Sequence, residues 1–234
     1  MAPIVQSAND LTGIWLGTSI FDQVSTRSPG MCMLTEQSRM APAICHLVST
    51  CFYDSKLVVA SREAADPAWH AQRKLAVLPQ IPATSVMIQH IPNESKYSQK
   101  YGGHIRYESA ELICRLVHAL LHAEPHNEIL VLTPFRSQRV LLRQGMQRIG
   151  NPRVAVRTVH SSQGMEFDTI IFDPVAGSSN FLRGDDAERL VNVALSRAKA
   201  RLVICMSDGD RQNPLFDRIA KTVEFLVKPQ KQRL

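Results

Sequence analysis

The chain has 234 residues, 44% of them hydrophobic and 21% charged, which are the proportions of a globular protein with one sizeable core and not of a disordered or fibrous chain. No apolar run approaches the ~20 residues needed to cross a bilayer, and no charged stretch followed by an apolar one opens the sequence, so the expectation is a protein without a membrane part, working in the reducing cytoplasm. A formal net charge of +6 favours a polyanionic partner without requiring one.

The five cysteines, Cys32, Cys45, Cys51, Cys114 and Cys205, contain no CxxC pair and mostly lie in apolar runs, so they read as small core residues. Cys45, His46 and Cys51 lack a second ligand cluster and are not read as a metal site. In chain order, Met1–Gln6 is an abrupt start for a domain, and Gly13–Val24 reads as a helix around Ile14, Leu16, Ile20 and Phe21. A Ser/Thr/Pro/Gly break comes next at Ser25–Gly30, then a short strand candidate at Met31–Leu34. The segment Thr35–Leu57 reads TEQSRMAPAICHLVSTCFYDSKL and holds a helix opened by Pro42. Val58–Pro82 has several prolines and poor periodicity, which predicts an irregular excursion pinned in part by Trp69 and the run Leu75–Leu78.

Ser85–Ile91 is a strand by pattern, and Asn93–Gly103 a loop whose Lys96, Tyr97, Lys100 and Tyr101 either stack on and neutralise a single strand or are simply solvated. Leu112, Ile113, Leu116, Val117, Leu120 and Leu121 form one helix face closed by Pro125. Glu128–Thr133 is almost continuously apolar, as in a parallel strand covered on both faces. Thr133 begins TPFRSQ, with Gln138 in the first turn of a helix that runs to Ile149. Strands are expected at Val154–Val159 and Thr169–Phe172, joined through a Ser161, Ser162, Gln163, Gly164 turn of the kind that presents amides and hydroxyls to a phosphate. Asp185 and Glu188 have capping-box spacing for a helix over Ala187–Lys199, which sets Arg197 at the edge of its apolar stripe. A strand at Arg201–Met206, an amphipathic helix around Leu215–Leu226 and a basic tail, Lys228–Arg233, complete the chain. Such a β-α-β succession gives an α/β fold with a parallel sheet and helices on both faces.

Several stretches together are similar to a known family. TVHSSQGMEFDTIIFD, from Thr158, and ERLVNVALSRAK, ending at Lys199, resemble motifs V and VI of superfamily 1 helicases, most of all the branch that includes the nonsense-mediated-decay helicase and its bacterial relatives. Thr35–Leu57 resembles the family's QYRMHPxI…FPSxxFYxGxL segment through Gln37, Arg39, Met40, Pro42, Ile44, Phe52, Tyr53 and Leu57, with Ser38 where the family has a base-stacking tyrosine. TPFRSQ resembles motif IV, and Pro3 with the short apolar stretch after it resembles the end of motif III.

The resemblance implies a second RecA-like domain, P-loop NTPase-like in fold but lacking its own phosphate loop. Residues 1–30 are a motif III remnant and interdomain connection, 31–226 the domain with an irregular excursion at 58–84, and 227–234 a tail. It implies that Arg197 and Arg39 are cations at the nucleotide phosphates, with Gln163 and Gly164 near the γ-phosphate, Glu166 on the nucleotide sugar and Gln37 beside them. Thr133, Pro134, Phe135, Thr158, His160 and Ser161 would meet a sugar–phosphate backbone, although His160 also reads as a turn cap and Arg39 as a surface arginine before a helix. ATP and Mg²⁺ would be held mainly by an upstream first RecA-like domain, single-stranded DNA or RNA would be the substrate, and the chain by itself would be inactive. No GxxxxGK[ST] run occurs in the sequence. A non-catalytic nucleic-acid or protein-binding module on the same fold is the alternative reading. A small-molecule enzyme on a generic doubly wound fold is disfavoured, since no nucleophile–base pair or cofactor fingerprint is present.

Overall fold

A computed structural model describes residues 32–76 and 83–227. The readings that fall on residues 1–31, on 77–82 and on the basic tail lie outside the described residues. Among those described, the strands are β1 (Glu36–Gln37), β2 (Val58–Val59), β3 (Val86–His90), β4 (Lys96–Ser98), β5 (Gly103–Ile105), β6 (Ile129–Thr133), β7 (Val154–Thr158), β8 (Phe167–Phe172) and β9 (Ala198–Met206). The helices are α1 (Pro42–Phe52), α2 (Ser61–Ala64), α3 (Pro67–Ala71), α4 (Tyr107–Ala123), α5 (Arg136–Gln147), α6 (Asp185–Leu195) and α7 (Pro214–Val227).

Five strands form one sheet in the order β3-β9-β8-β6-β7, every pair parallel. Its central strands look uniformly apolar because alternate residues serve two different cores. Leu130, Leu132, Ile170, Phe172, Leu202 and Ile204 face α1, α6 and α7, where Ile44, Val191 and Phe216 are fully buried. Ile129, Val131, Ile171, Val203 and Cys205 face α4 and α5, where Ile113, Val117 and Leu142 are fully buried. The expected helices on both faces of a parallel sheet are therefore present.

Several boundaries differ from the sequence reading for identifiable reasons. Cys32–Thr35 is not a strand; pairing begins at Glu36, opposite Val58. Asn93–Gly103 is not an open loop, since Lys96–Ser98 and Gly103–Ile105 pair as an antiparallel hairpin, with Tyr97 opposite His104. The excursion after Val58 contains α2 and α3, and Trp69 is buried in it as expected. No capping box forms at Asp185: Gly184 occupies the N-cap with φ 82°, and the three acidic residues of the first turn act through the helix dipole instead. That helix stops at Leu195, four residues earlier than its apolar stripe suggested, because Ala198 already pairs with Phe167 as β9 begins. The thiols of Cys45, Cys51 and Cys205 are buried and free, in line with their reading as core residues.

A charged network that the periodicity could not reveal sits at the carboxyl end of the sheet. Arg106, just before α4, has a fully buried side chain and donates to Asp210 and to Asp173, each at 2.8 Å. Burial opposes the charge on this guanidinium, but the two carboxylates and their hydrogen bonds override that effect and hold it above the ordinary arginine value. The second carboxylate is balanced by dipoles: Ser109 Oγ at 2.6 Å and Gln138 Nε2 at 2.9 Å donate to Asp173, and the Gly177 N–H at 2.6 Å and Ser207 N–H at 2.9 Å donate to Asp210. Asp173 also accepts from Val175 N–H at 3.2 Å, and Val175 is a β-branched residue at φ 64°. The network thus holds a strained backbone turn directly after β8. Replacing Arg106 by Met leaves two buried carboxylates without a cation, and the expected loss is ~3–5 kcal/mol, read as a lowered urea midpoint.

Candidate functional site

Two sets of the sequence-predicted residues gather at opposite ends of the sheet. At the amino ends of β8 and β9, Arg39, Glu166 and Arg197 come together. Arg39 forms an ion pair with Glu166, and its Nη1 donates to the Ser196 carbonyl at 3.2 Å. Arg197 Nη1 donates to the Met165 carbonyl at 3.5 Å, while Phe167 N–H binds the Arg197 carbonyl at 3.2 Å. Arg197 is therefore placed by the turn between α6 and β9 and by the approach of the Met165–Phe167 segment, not by a position on a helical stripe. The Nε atoms of both Arg39 and Arg197 are buried without a protein partner.

The electrostatics of this trio are unbalanced. Burial, and after it the like charge of Arg39, push the Arg197 guanidinium below the usual arginine value, with Glu166 offsetting part of that. The Arg39 hydrogen bond holds the Glu166 carboxyl below the usual carboxylate range, against a smaller opposing effect of burial, and the charges of Arg39, Lys199 and Arg197 add to it. Arg39 is paired with Glu166, while Arg197 lies near enough to be affected by both and has no ion pair among the described residues, an arrangement that a further anion would relieve.

The backbone that carries Arg39 is fixed from three sides. The Gln37 side chain is committed to Met40, accepting its N–H at 2.7 Å and donating to its carbonyl at 3.1 Å. Ala41 N–H donates to the Lys199 carbonyl at 2.8 Å, which ties the loop to the start of β9. From the third side comes the excursion: Trp69 Nε1 donates to the Ser38 carbonyl at 2.6 Å, and Arg73 donates to the Arg39 carbonyl through Nε at 3.0 Å and Nη2 at 2.8 Å. The Arg73 guanidinium lies 3.7 Å from the Trp69 ring centroid, so each side chain also orders the other. Sequence reasoning missed Arg73. The available signal was its position four residues after the lone tryptophan of a supposedly irregular stretch, where a helix turn puts both on one face.

At the carboxyl ends of β6 and β7, Thr133 lies directly opposite Thr158. The Thr133 side chain is fully buried, its hydroxyl accepting from Phe135 N–H at 3.4 Å, and Pro134 is buried beside it. Phe135 and His160 are half-buried, while Thr158 Oγ1 lies 3.0 Å from Ser161 Oγ near the surface. Gln163 and Gly164 are exposed, and Gly164 has φ 82° with open space where a Cβ would sit, so its backbone conformation and not crowding selects glycine there. Residues 159–166 run from the carboxyl end of β7 to the amino end of β8, with Val159 buried in the α1–α6–α7 core, so one short connection joins both sets.

Comparison with known proteins gives the chain's family and fold. A family model described as an AAA domain matches residues 16–208, and the chain belongs to that family. It is similar to the helicase Sen1 of Schizosaccharomyces pombe, 32% identical over 188 residues, which cover 74% of this chain and 10% of that protein. It is also similar to the probable helicase MAGATAMA 3 of Arabidopsis thaliana, 24% identical over 220 residues, covering 89% of this chain and 26% of that protein. The chain thus spans only a minor part of either relative. Its fold matches the C-terminal domain of a possible DNA helicase from Lactobacillus plantarum with a TM-score of 0.50 at 13% identity, over 77% of this chain and 92% of that one. The chain is a superfamily 1 helicase-like C-terminal domain with a RecA-like parallel sheet. No helix among the described residues is long and apolar enough to cross a membrane.

Two measurements test the local account. Trp69→Ala removes a buried ring, the cation–π contact and the Ser38 hydrogen bond, for an expected loss of ~3–5 kcal/mol in a denaturant titration. Because Glu166 is held below its ordinary value, its pair with Arg39 adds stability above about pH 4.3, the ordinary glutamate value, and loses it as the pH falls through the lowered folded-state value. With the two side chains 34% and 41% exposed, the contribution is no more than ~1 kcal/mol. The difference in urea midpoint between the protein and Glu166→Gln is expected at pH 7 and gone by the acid end of a pH series.

Proposed function

We propose that this chain is the second RecA-like half of an ATP-dependent DNA or RNA helicase, in which Arg197 and Arg39 neutralise the terminal phosphates of a nucleotide gripped by an upstream RecA-like domain. The reading rests most on one observation: Arg39, paired with Glu166, and Arg197, without an ion pair among the described residues, lie close enough for their charges to act on each other at a half-exposed surface, each with an unpartnered buried Nε. Guanidinium forks suit phosphate oxygens because they stay charged and donate in pairs. On this reading Arg197 is the arginine finger, Arg39 its companion, and Gln163 and Gly164 lie near the γ-phosphate.

Glu166 then exchanges Arg39 for the nucleotide sugar when the nucleotide arrives. ATP supplies the phosphoanhydride whose hydrolysis drives movement. The donors present fit its phosphate oxygens. They do not fit Mg²⁺, since the one carboxylate among them is engaged by Arg39, and the metal would be held with the phosphates by the first domain. Single-stranded nucleic acid would cross the other end of the sheet, where Thr158, His160 and Ser161 offer hydroxyl and imidazole groups to a sugar–phosphate backbone without reading bases. Thr133 and Pro134, being buried, would contribute by shaping the strand end beneath Phe135.

The test is an ATPase assay in two settings. The 234-residue chain is expected to show no turnover. In a protein joining it to an ATP-gripping first domain, Arg197→Ala is expected to lower turnover about 10³- to 10⁵-fold, and Arg197→Lys to restore little of it. Turnover by the chain alone, or a joined Arg197→Ala protein as active as its parent, would overturn the assignment.

A further inference from the structure

Four aromatic side chains, far apart in sequence, form a row at the carboxyl end of the sheet. Tyr97 of β4 and His104 of β5 have ring centroids 5.9 Å apart, His104 and Phe135 at the end of β6 are 5.8 Å apart, and Phe135 and Phe181, in the connection from β8 to α6, are 5.6 Å apart. The interplanar angles of 89°, 58° and 54° mean that no ring has a face covered by a parallel neighbour within the row. Both ends of the row are open, Tyr97 being 67% and Phe181 53% exposed.

The row is held on rigid supports. Ser137 Oγ, in the first turn of α5, donates to the His104 carbonyl at 2.6 Å, and the Arg106 N–H donates to Gln138 at 2.9 Å. A Cβ on Gly103 would lie 2.8 Å from Ser137 Oγ, so a glycine is what lets the hairpin sit this close to the helix. Because Arg106 and Gln138 belong to the buried ion network, the hairpin inherits the rigidity of the sheet itself.

Cations lie in the same segments as the rings. Lys96 and Lys100 on the hairpin, Arg136 after Phe135 and Arg183 after Phe181 are all exposed, and none is ion-paired among the described residues, although the Lys100 ammonium lies 5.4 Å from the Tyr101 ring centroid. Of the carboxylates near these cations in sequence, Glu94, two residues before Lys96, accepts from Ser207 Oγ and Gly209 N–H, and Asp186, after Arg183, pairs with Arg189. Exposed rings at both ends of the row, in segments that also carry exposed cations outside ion pairs, match a ligand that is both polyanionic and π-faced. A single nucleic-acid strand has those properties, whereas an apolar protein surface would leave the cations unmatched.

We propose that Tyr97, His104, Phe135 and Phe181 are a base-stacking row for single-stranded nucleic acid, which passes from the hairpin over the end of β6 while Thr158 and Ser161 meet its backbone. The proposal rests on the nucleic-acid reading above and extends it, because the helicase-like motifs include only Phe135 of the four. Base stacking on aromatic side chains tolerates any sequence, so the row adds affinity without sequence preference.

The experiment compares the full chain and the exposed-ring variants Tyr97→Ala and Phe181→Ala in binding a labelled twelve-nucleotide oligothymidine, its RNA counterpart, and an abasic backbone of equal length. Circular dichroism confirms that the variants fold. The unmodified chain is expected to prefer the base-bearing strands over the abasic one by about tenfold or more. Each alanine variant is expected to lose about tenfold on base-bearing strands and little on the abasic one, with the salt dependence unchanged because phosphate contacts remain. Tyr97→Phe is expected to retain the affinity. Equal binding of base-bearing and abasic strands, or variants that bind like the parent, would overturn the row while leaving the backbone contacts standing. Absence of binding to all three probes would overturn both the row and the nucleic-acid reading.

Discussion

Placing one guanidinium beside another is unfavourable, and much of the domain is arranged so that Arg39 and Arg197 stay there regardless. The two arrive by separate routes: Arg197 in the turn from α6 into β9, Arg39 on the loop before α1. The Ala41–Lys199 backbone hydrogen bond of 2.8 Å brings these routes together. The interior gives both routes rigid footing, since α1 and α6 share one core against the same face of the sheet. Repulsion between the cations is therefore borne by packing and backbone bonds, and the single carboxylate between them, Glu166, relieves only part of it.

The connection through residues 159–166 gives this arrangement a mechanical consequence. Its first residue, Val159, is buried in the core, and Ser162 Oγ donates to the Val159 carbonyl at 2.7 Å. Its last, Glu166, ends on Arg39. One short connection, anchored in the core at Val159 and on Arg39 at Glu166, thus ties the Thr158 end of the sheet to the arginines. At the same end of the sheet the Arg106 network fixes the ends of β8 and β9 and the start of α5, so the surface there moves as one piece with the strands beneath it.

How much of this was legible in the sequence depends on the range of the interaction concerned. Strands β6, β8 and β9, and helices α4 and α7, come from local hydrophobic pattern, which reports burial directly, and α5 from the TPFRSQ segment that opens it. The end of α6 did not, because its stripe of Leu190, Val191, Ala194 and Leu195 continues in register into Ala198, and only pairing of Ala198 with Phe167 decides that the chain is already a strand. The hairpin of β4 and β5 was hidden for the opposite reason: its polar residues carry no burial signal, and what makes it a hairpin is its seat on Ser137 and Gln138. Short motifs identified Arg39, Glu166 and Arg197, which the fold brings together. Nothing local marked Arg106, since an arginine before a helix looks the same whether solvated or sealed between two aspartates.

The excursion that looked irregular has a physical role in the arrangement. Trp69 and Arg73 grip the carbonyls of Ser38 and Arg39, and leave the Arg39 side chain alone. Fixing the backbone while leaving the guanidinium on an exposed ion pair, worth no more than ~1 kcal/mol, separates position from occupancy. On the proposed reading, a phosphate that bears more charge than a carboxylate then displaces Glu166 at small cost, without the loop having to reorganise, which is the condition under which electrostatic stabilisation of a reacting group is most effective. A loop held by its arginine side chain would have to choose between keeping its shape and using its charge; one held through its carbonyls does both.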